Sequence, residues 1–69
     1  MFGDREAVVV GVRPWEVHGV PYIDVTVGYD DGTSEVARLG TESVPEDVAV
    51  GDRVAVMRAV NMIVSIRRL

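Results

Sequence analysis

Cysteine and lysine are both missing from this chain, histidine occurs once, and the aromatic residues are only Phe2, Trp15, Tyr22 and Tyr29. Without cysteine there is no disulfide and no thiolate metal site, and nothing points to an oxidising compartment. A lone His18 cannot assemble a histidine metal cluster. No apolar run approaches the roughly 20 residues of a membrane-crossing helix, and no basic start leads into a signal-peptide core. A cytoplasmic location is therefore expected, with no cofactor and no membrane span. The seven basic residues are all arginines, in a chain rich in Ala, Val, Gly and Asp. That usage fits a bacterial genome of high GC content.

What is present is valine in abundance. Hydrophobic residues make up 48% of the chain and charged ones 26%, which excludes a disordered composition. Valine is stiff at χ1 and suits a pleated surface better than a helix. With 69 residues, the chain forms one domain, residues 1–69, burying roughly 60% of the surface exposed by its unfolded form. Small domains of this kind usually need a staple. Disulfides and histidine or thiolate metal sites are excluded, so a dense aliphatic core, self-association or both must serve.

The apolar pattern repeats every second residue rather than every 3.6. Between Glu6 and Arg13, Val8, Val10 and Val12 alternate with Ala7, Val9 and Gly11, predicting a strand buried on both faces or bent at Gly11. Pro14 is expected to interrupt it. His18-Gly19 reads as the centre of a tight hairpin turn. The next strand, Tyr22 to Tyr29, points Ile23, Val25, Val27 and Tyr29 to the core. Asp30-Asp31-Gly32 predicts a type I turn closed by a left-handed glycine. In the third strand, Thr33 to Leu39, Val36, Ala37 and Leu39 cannot share a face, which predicts a bulge or a twisted barrel edge. Ser43 and Glu46 match a capping box, predicting one short helical turn over Ser43 to Val48. Two further strands follow, Arg53 to Arg58 and Met62 to Arg67. Their predicted inward residues are Val54 and Val56, then Met62, Val64 and Ile66, leaving Ala55, Met57 and Ile63 on the opposite faces, either partly exposed as a contact surface or buried as well by barrel curvature.

These elements predict an all-β fold: a five-stranded antiparallel small barrel with one short helical turn between strands 3 and 4. Closure into a barrel removes exposed edges. The order is OB-like, with an SH3-like barrel as the alternative; two strands follow the turn here, whereas one follows it in SH3-like barrels. The run Val48-Ala49-Val50-Gly51-Asp52-Arg53-Val54-Ala55-Val56, followed by Met62-Ile63-Val64-Ser65-Ile66, resembles the closing half of small OB-like barrels. These include the soluble barrel of NfeD-like membrane-protease partners and bacterial accessory domains. That resemblance covers about the last third of the chain and implies a barrel hairpin, not an activity. Small hydrogenase-assembly chaperones share the layout but act through an N-terminal cysteine; here position 2 is Phe2.

No constellation for catalysis is visible. His18 has no nucleophile or orienting partner near it in sequence, and a turn position explains it. Asp30 and Asp31 fall short of the oxygen set that calcium requires. Ser34, Ser43 and Ser65 lie in no triad context, and the glycines are scattered among turns. The chain is read as not an enzyme. Two binding readings remain. In the first, the domain is a protein-interaction or assembly module that self-associates through a strand edge or through the hairpin carrying Met57 and Ile63. In the second, Trp15 and Tyr22 stack bases while Arg53 and Arg67, with Arg13 or Arg38, supply cations for single-stranded nucleic acid. The net charge of −4 opposes the second. Net charge also permits an acidic mimic that docks on a basic partner. The candidate surface is thus Trp15, Tyr22, Arg53, Met57, Ile63 and Arg67.

Overall fold

Valine alternation, interrupted at four connections, produces five antiparallel strands. The computed structural model describes residues 2–69. In it, strand β1 spans Phe2–Val17, β2 Val20–Gly28, β3 Ser34–Gly40, β4 Arg53–Ala59 and β5 Met62–Arg68, with a 3₁₀ turn at Thr41–Ser43 between β3 and β4. They form one sheet in the order β3-β2-β1-β4-β5. The long β1 pairs with β4 through its first half and with β2 through its second. The sheet curls until β3 and β5 approach one another, giving a barrel-like shape. No ladder joins those two strands. The expected full closure is thus replaced by a seam between two free edges.

The core is aliphatic. Val9, Val25, Val27, Val54 and Val56 are fully enclosed, joined by Ala7, Tyr29, Ala37, Leu39, Ile63 and Ile66. Burying each valine side chain contributes about 1.5 kcal/mol or more relative to leaving it in water. No polar residue shares this interior among the described residues.

Two bulges decide which side chains enter the core. In β1, Val9 pairs with Val27 while Gly11 pairs with Thr26, so Val10 is an extra residue. Ala7 and Val9 face inward before the bulge, and Val12 packs against the core after it. Val8 and Val10 are left outside. The expectation of a strand buried on both faces is corrected accordingly; the bend near Gly11 is present. In β4–β5, Met57 pairs with Ser65 and Arg58 with Ile63, which makes Val64 the extra residue. Ile63 and Ile66 therefore both point inward, and Met62 is exposed. The predicted inward set of Met62, Val64 and Ile66 is replaced by Ile63 and Ile66.

Three local readings also change. The β2–β3 ladder is regular from Tyr22↔Gly40 to Gly28↔Ser34, so β3 has no bulge and simply exposes Val36. Strand β1 continues through Pro14, paired with Ile23. Pro14 is tolerated because β4 pairs no further than Val8, and the missing donor faces no second strand. The Ser43–Glu46 capping box does not form. The 3₁₀ turn ends at Ser43, and Val44 is extended (φ −130°, ψ 156°), as the residue before Pro45 prefers.

Two turns match their sequence signals. His18 (φ 50°) and Gly19 (φ 80°) both have positive φ, as a type I′ hairpin turn requires. At the β2–β3 connection, the Gly32 amide donates to the Tyr29 carbonyl at 3.1 Å, and Gly32 has φ 86°. Asp31 Oδ1 accepts from the Thr33 amide at 2.9 Å and from the Thr33 hydroxyl at 2.6 Å, which locks the turn.

Candidate interaction surface

After the bulge, alternation places Arg13 and Trp15 on the outer face of β1, opposite Asp24 and Tyr22 of β2. The next strand adds Arg38 opposite Asp24 and Gly40 opposite Tyr22. Trp15 and Tyr22 are thus cross-strand neighbours, as a shared surface requires. The Arg38 guanidinium lies 4.2 Å from the Trp15 ring centroid and that of Arg13 5.0 Å, a cation–π arrangement. Arg38 also grips Asp24 with both ends of its fork, at 2.8 and 3.2 Å. That bond holds the Asp24 carboxyl below its ordinary pKa. Trp15 is half-buried by this neighbourhood, and its Nε1 is screened from solvent without a bonded partner.

The other sequence candidates do not join this face. Arg53 and Arg67 lie on the β1–β4–β5 half, where Arg53 pairs with Glu6 at 3.6 Å and Arg67 with Asp4. Met57 is half-buried on the same half. Ile63 is 6% exposed and belongs to the core, so it offers no contact surface. The bulge at Val64 is the cause. Ala55 is also buried, at 6%, between Glu6 and Arg67 in the ladders.

Ion pairing runs through almost every cation. Arg5 pairs with Asp31, Arg38 with Asp24, Arg53 with Glu6, Arg58 with Glu35, Arg67 with Asp4 and Arg68 with Asp52. Among the described residues only Arg13 has no carboxylate within ion-pair distance. Sequence reading missed this, because the pairs join residues up to 63 positions apart. The carboxylates without such a partner, among the described residues, are Glu16, Glu42, Glu46 and Asp47.

At one mouth of the barrel, ionisable groups converge. The Tyr29 hydroxyl donates to Glu35 Oε1 at 2.7 Å, and Arg58 donates to Glu35 Oε2 at 2.9 Å. The Arg5 guanidinium stacks 3.9 Å from the Tyr29 ring centroid and donates to Asp31 at 3.0 Å. Burial and the Glu35 charge push the Tyr29 phenol up to about 12. Tyr29 and Arg58 together hold Glu35 below its usual range. The bonds tie the end of β2 to β3 and β4, while Arg58 Nε is buried without a partner.

The seam between β3 and β5 is a shallow cavity of about 240 Å³, lined by Val36, Ala37 and Arg38 on one side and Asn61, Met62 and Ile63 on the other. Val36 is 67% exposed and Met62 61%. The sequence pattern places Met62 in the core and gives neither residue to the candidate surface. His18 stands exposed at the hairpin tip. No group of three metal-ligating side chains occurs among the described residues. No helix there is long and apolar enough to cross a membrane.

Comparison of the chain with protein-family models, with curated proteins and with solved structures gives no match.

Proposed function

We propose that this domain is a non-catalytic protein-interaction module that associates with itself through the free edges of β3 and β5. The observation that carries the reading is the seam itself. It offers two unpaired strand edges bearing exposed Val36 and Met62, with Val60 beside them at 79% exposure. Free edges carry unmatched backbone donors and acceptors and are ready templates for strand addition. Apolar side chains along such an edge mark a contact surface rather than a solvated one. A chain with no disulfide gains from burying them against a second copy. Sedimentation velocity across micromolar concentrations tests this. The expected result is a concentration-dependent dimer that Val36→Lys or Met62→Lys converts to monomer. A wild-type chain that stays monomeric throughout overturns it.

The OB-like reading of the barrel rests on strand order, with β1 shared between both halves and two strands after the 3₁₀ turn. It supports a second function, binding of single-stranded nucleic acid. The Trp15 ring held between Arg13 and Arg38, with Tyr22 beside it, favours that reading, since bases stack on such platforms. The pairing of Arg38, Arg53 and Arg67 with carboxylates opposes it, because affinity follows the phosphates neutralised. Quenching of Trp15 fluorescence by an oligothymidylate at low salt is the readout. Unchanged emission disposes of the idea.

A further inference from the structure

At the barrel end opposite Tyr29, a cleft of about 570 Å³ opens between the β1–β2 arm and the segment after the 3₁₀ turn. Its walls are Val12, Pro14 and Ile23 on one side and Val44, Pro45 and Val48 on the other. Clefts of roughly 300–1,000 Å³ with apolar walls are the size class that accepts a ligand or a few side chains. The rim is charged. Glu46 and Asp47 line the opening, and Glu16 follows Pro14 by two positions on the same side of β1, whereas the Glu42 carboxylate folds over Gly40 on the outer face of β3.

Glu46 and Asp47 both lack a guanidinium partner, so the rim of this apolar opening carries negative charge that no arginine neutralises. The wall is also fixed in place. Arg68 donates to the Glu46 carbonyl at 2.8 Å, to the Asp47 carbonyl at 3.0 Å and to Asp52 Oδ2 at 3.2 Å. The Ala49 amide donates to the same Asp52 oxygen at 3.0 Å. Asp47 is held at φ 59°. A preorganised wall spares an incoming segment the entropy of ordering it.

We infer that this cleft receives a short basic segment of a partner protein. A branched apolar side chain seats between Ile23 and Val48, and flanking arginine or lysine side chains reach Glu46 and Asp47. Neutral apolar ligands leave the rim unmatched, and acidic ones are repelled by it. This rests on the reading of the chain as an interaction module but uses a surface separate from the β3–β5 seam.

The test titrates three capped tetrapeptides, Arg-Leu-Ile-Arg, Glu-Leu-Ile-Glu and Arg-Ala-Ala-Arg, into the full ¹⁵N-labelled chain, following amide shifts. The expected result is saturable shifts at Val12, Ile23, Val44 and Val48 with the first peptide, and affinity at least about tenfold weaker for the other two. Glu46→Gln combined with Asp47→Asn should weaken the first peptide by about fivefold at low salt and much less at high salt. Asparagine tolerates the positive φ of position 47, so that variant keeps the fold. Absence of shifts at millimolar peptide, equal response to the acidic peptide, or shifts centred on Trp15 overturns the inference. Sedimentation of the same samples separates the two readings: a monomer that binds the basic peptide removes self-association only, and a dimer that ignores it removes the cleft only.

Discussion

Tyr29 donates its phenolic proton to Glu35 across the β2–β3 ladder at 2.7 Å, and the bond joins the aliphatic core to β3, one of the two edge strands of the sheet. The phenol is protonated in the bond and its pKa is raised to about 12 from an ordinary value near 10. Because the folded value lies above the unfolded one, the stabilisation is whole below about pH 10 and disappears as pH rises through about 12. In a Tyr22→Phe variant, Tyr29 alone reports phenolate absorbance. A midpoint near pH 12 is expected; one near 10 shows that the bond to Glu35 is not made in solution.

Asp31 behaves in the opposite sense. Its bonds to the Thr33 hydroxyl and amide, and then to Arg5, lower its pKa to about 2 from 3.8. The contribution is therefore complete above about pH 4 and lost as pH falls through about 2. Urea midpoints of wild type and Asp31→Asn should differ most at neutral pH and converge between pH 4 and 2. A difference that stays constant down to pH 2 contradicts the assignment.

The bulge at Val10 is testable with one chemical change at two adjacent positions. Val9 is fully buried and Val10 is 52% exposed. Val9→Thr places a hydroxyl in the core without a partner and should cost about 2 kcal/mol. Val10→Thr should stay within about 0.5 kcal/mol of wild type. Equal costs in chemical denaturation mean that the alternation runs through without a bulge.

The arm that carries Trp15 depends on its tip. Gly19 sits at φ 80° with open space where a Cβ would lie, so Gly19→Val should destabilise by backbone strain alone, by about 1–2 kcal/mol. His18, at φ 50°, should accept asparagine with an equal or higher Tm, since Asn-Gly favours the type I′ turn. A fall in Tm for His18→Asn points to a contact made by the imidazole.

Local chemistry made much of the fold legible. Asp30-Asp31-Gly32 and His18-Gly19 announced their turns because turn preference is set by a few neighbouring residues. The face of β2 was readable because Ile23, Val25 and Val27 alternate without interruption. The 3₁₀ turn was expected between β3 and β4 but placed too late, since the extended bias that Pro45 imposes on Val44 overrides the capping pattern. Of the surface candidates, Tyr22 was legible as outward from the alternation of β2, whereas the facing of Trp15 depends on the bulge at Val10 and the burial of Ile63 on the bulge at Val64.

The sequence by itself determined the strand class, the number of strands and the hairpin turns at His18-Gly19 and Asp30-Asp31-Gly32, because each depends on period-two patterning and short-range backbone preference. Tertiary structure alone decided which residues of β1 and β5 are buried, because one extra residue at Val10 and another at Val64 shift the facing along those strands, and a bulge takes its place from how the sheet must curve. It also decided where the charge lies. Pairing across distant strands neutralises all but one arginine among the described residues, and two of the residual carboxylates, Glu46 and Asp47, are left lining an apolar cleft that no local segment of the chain encodes.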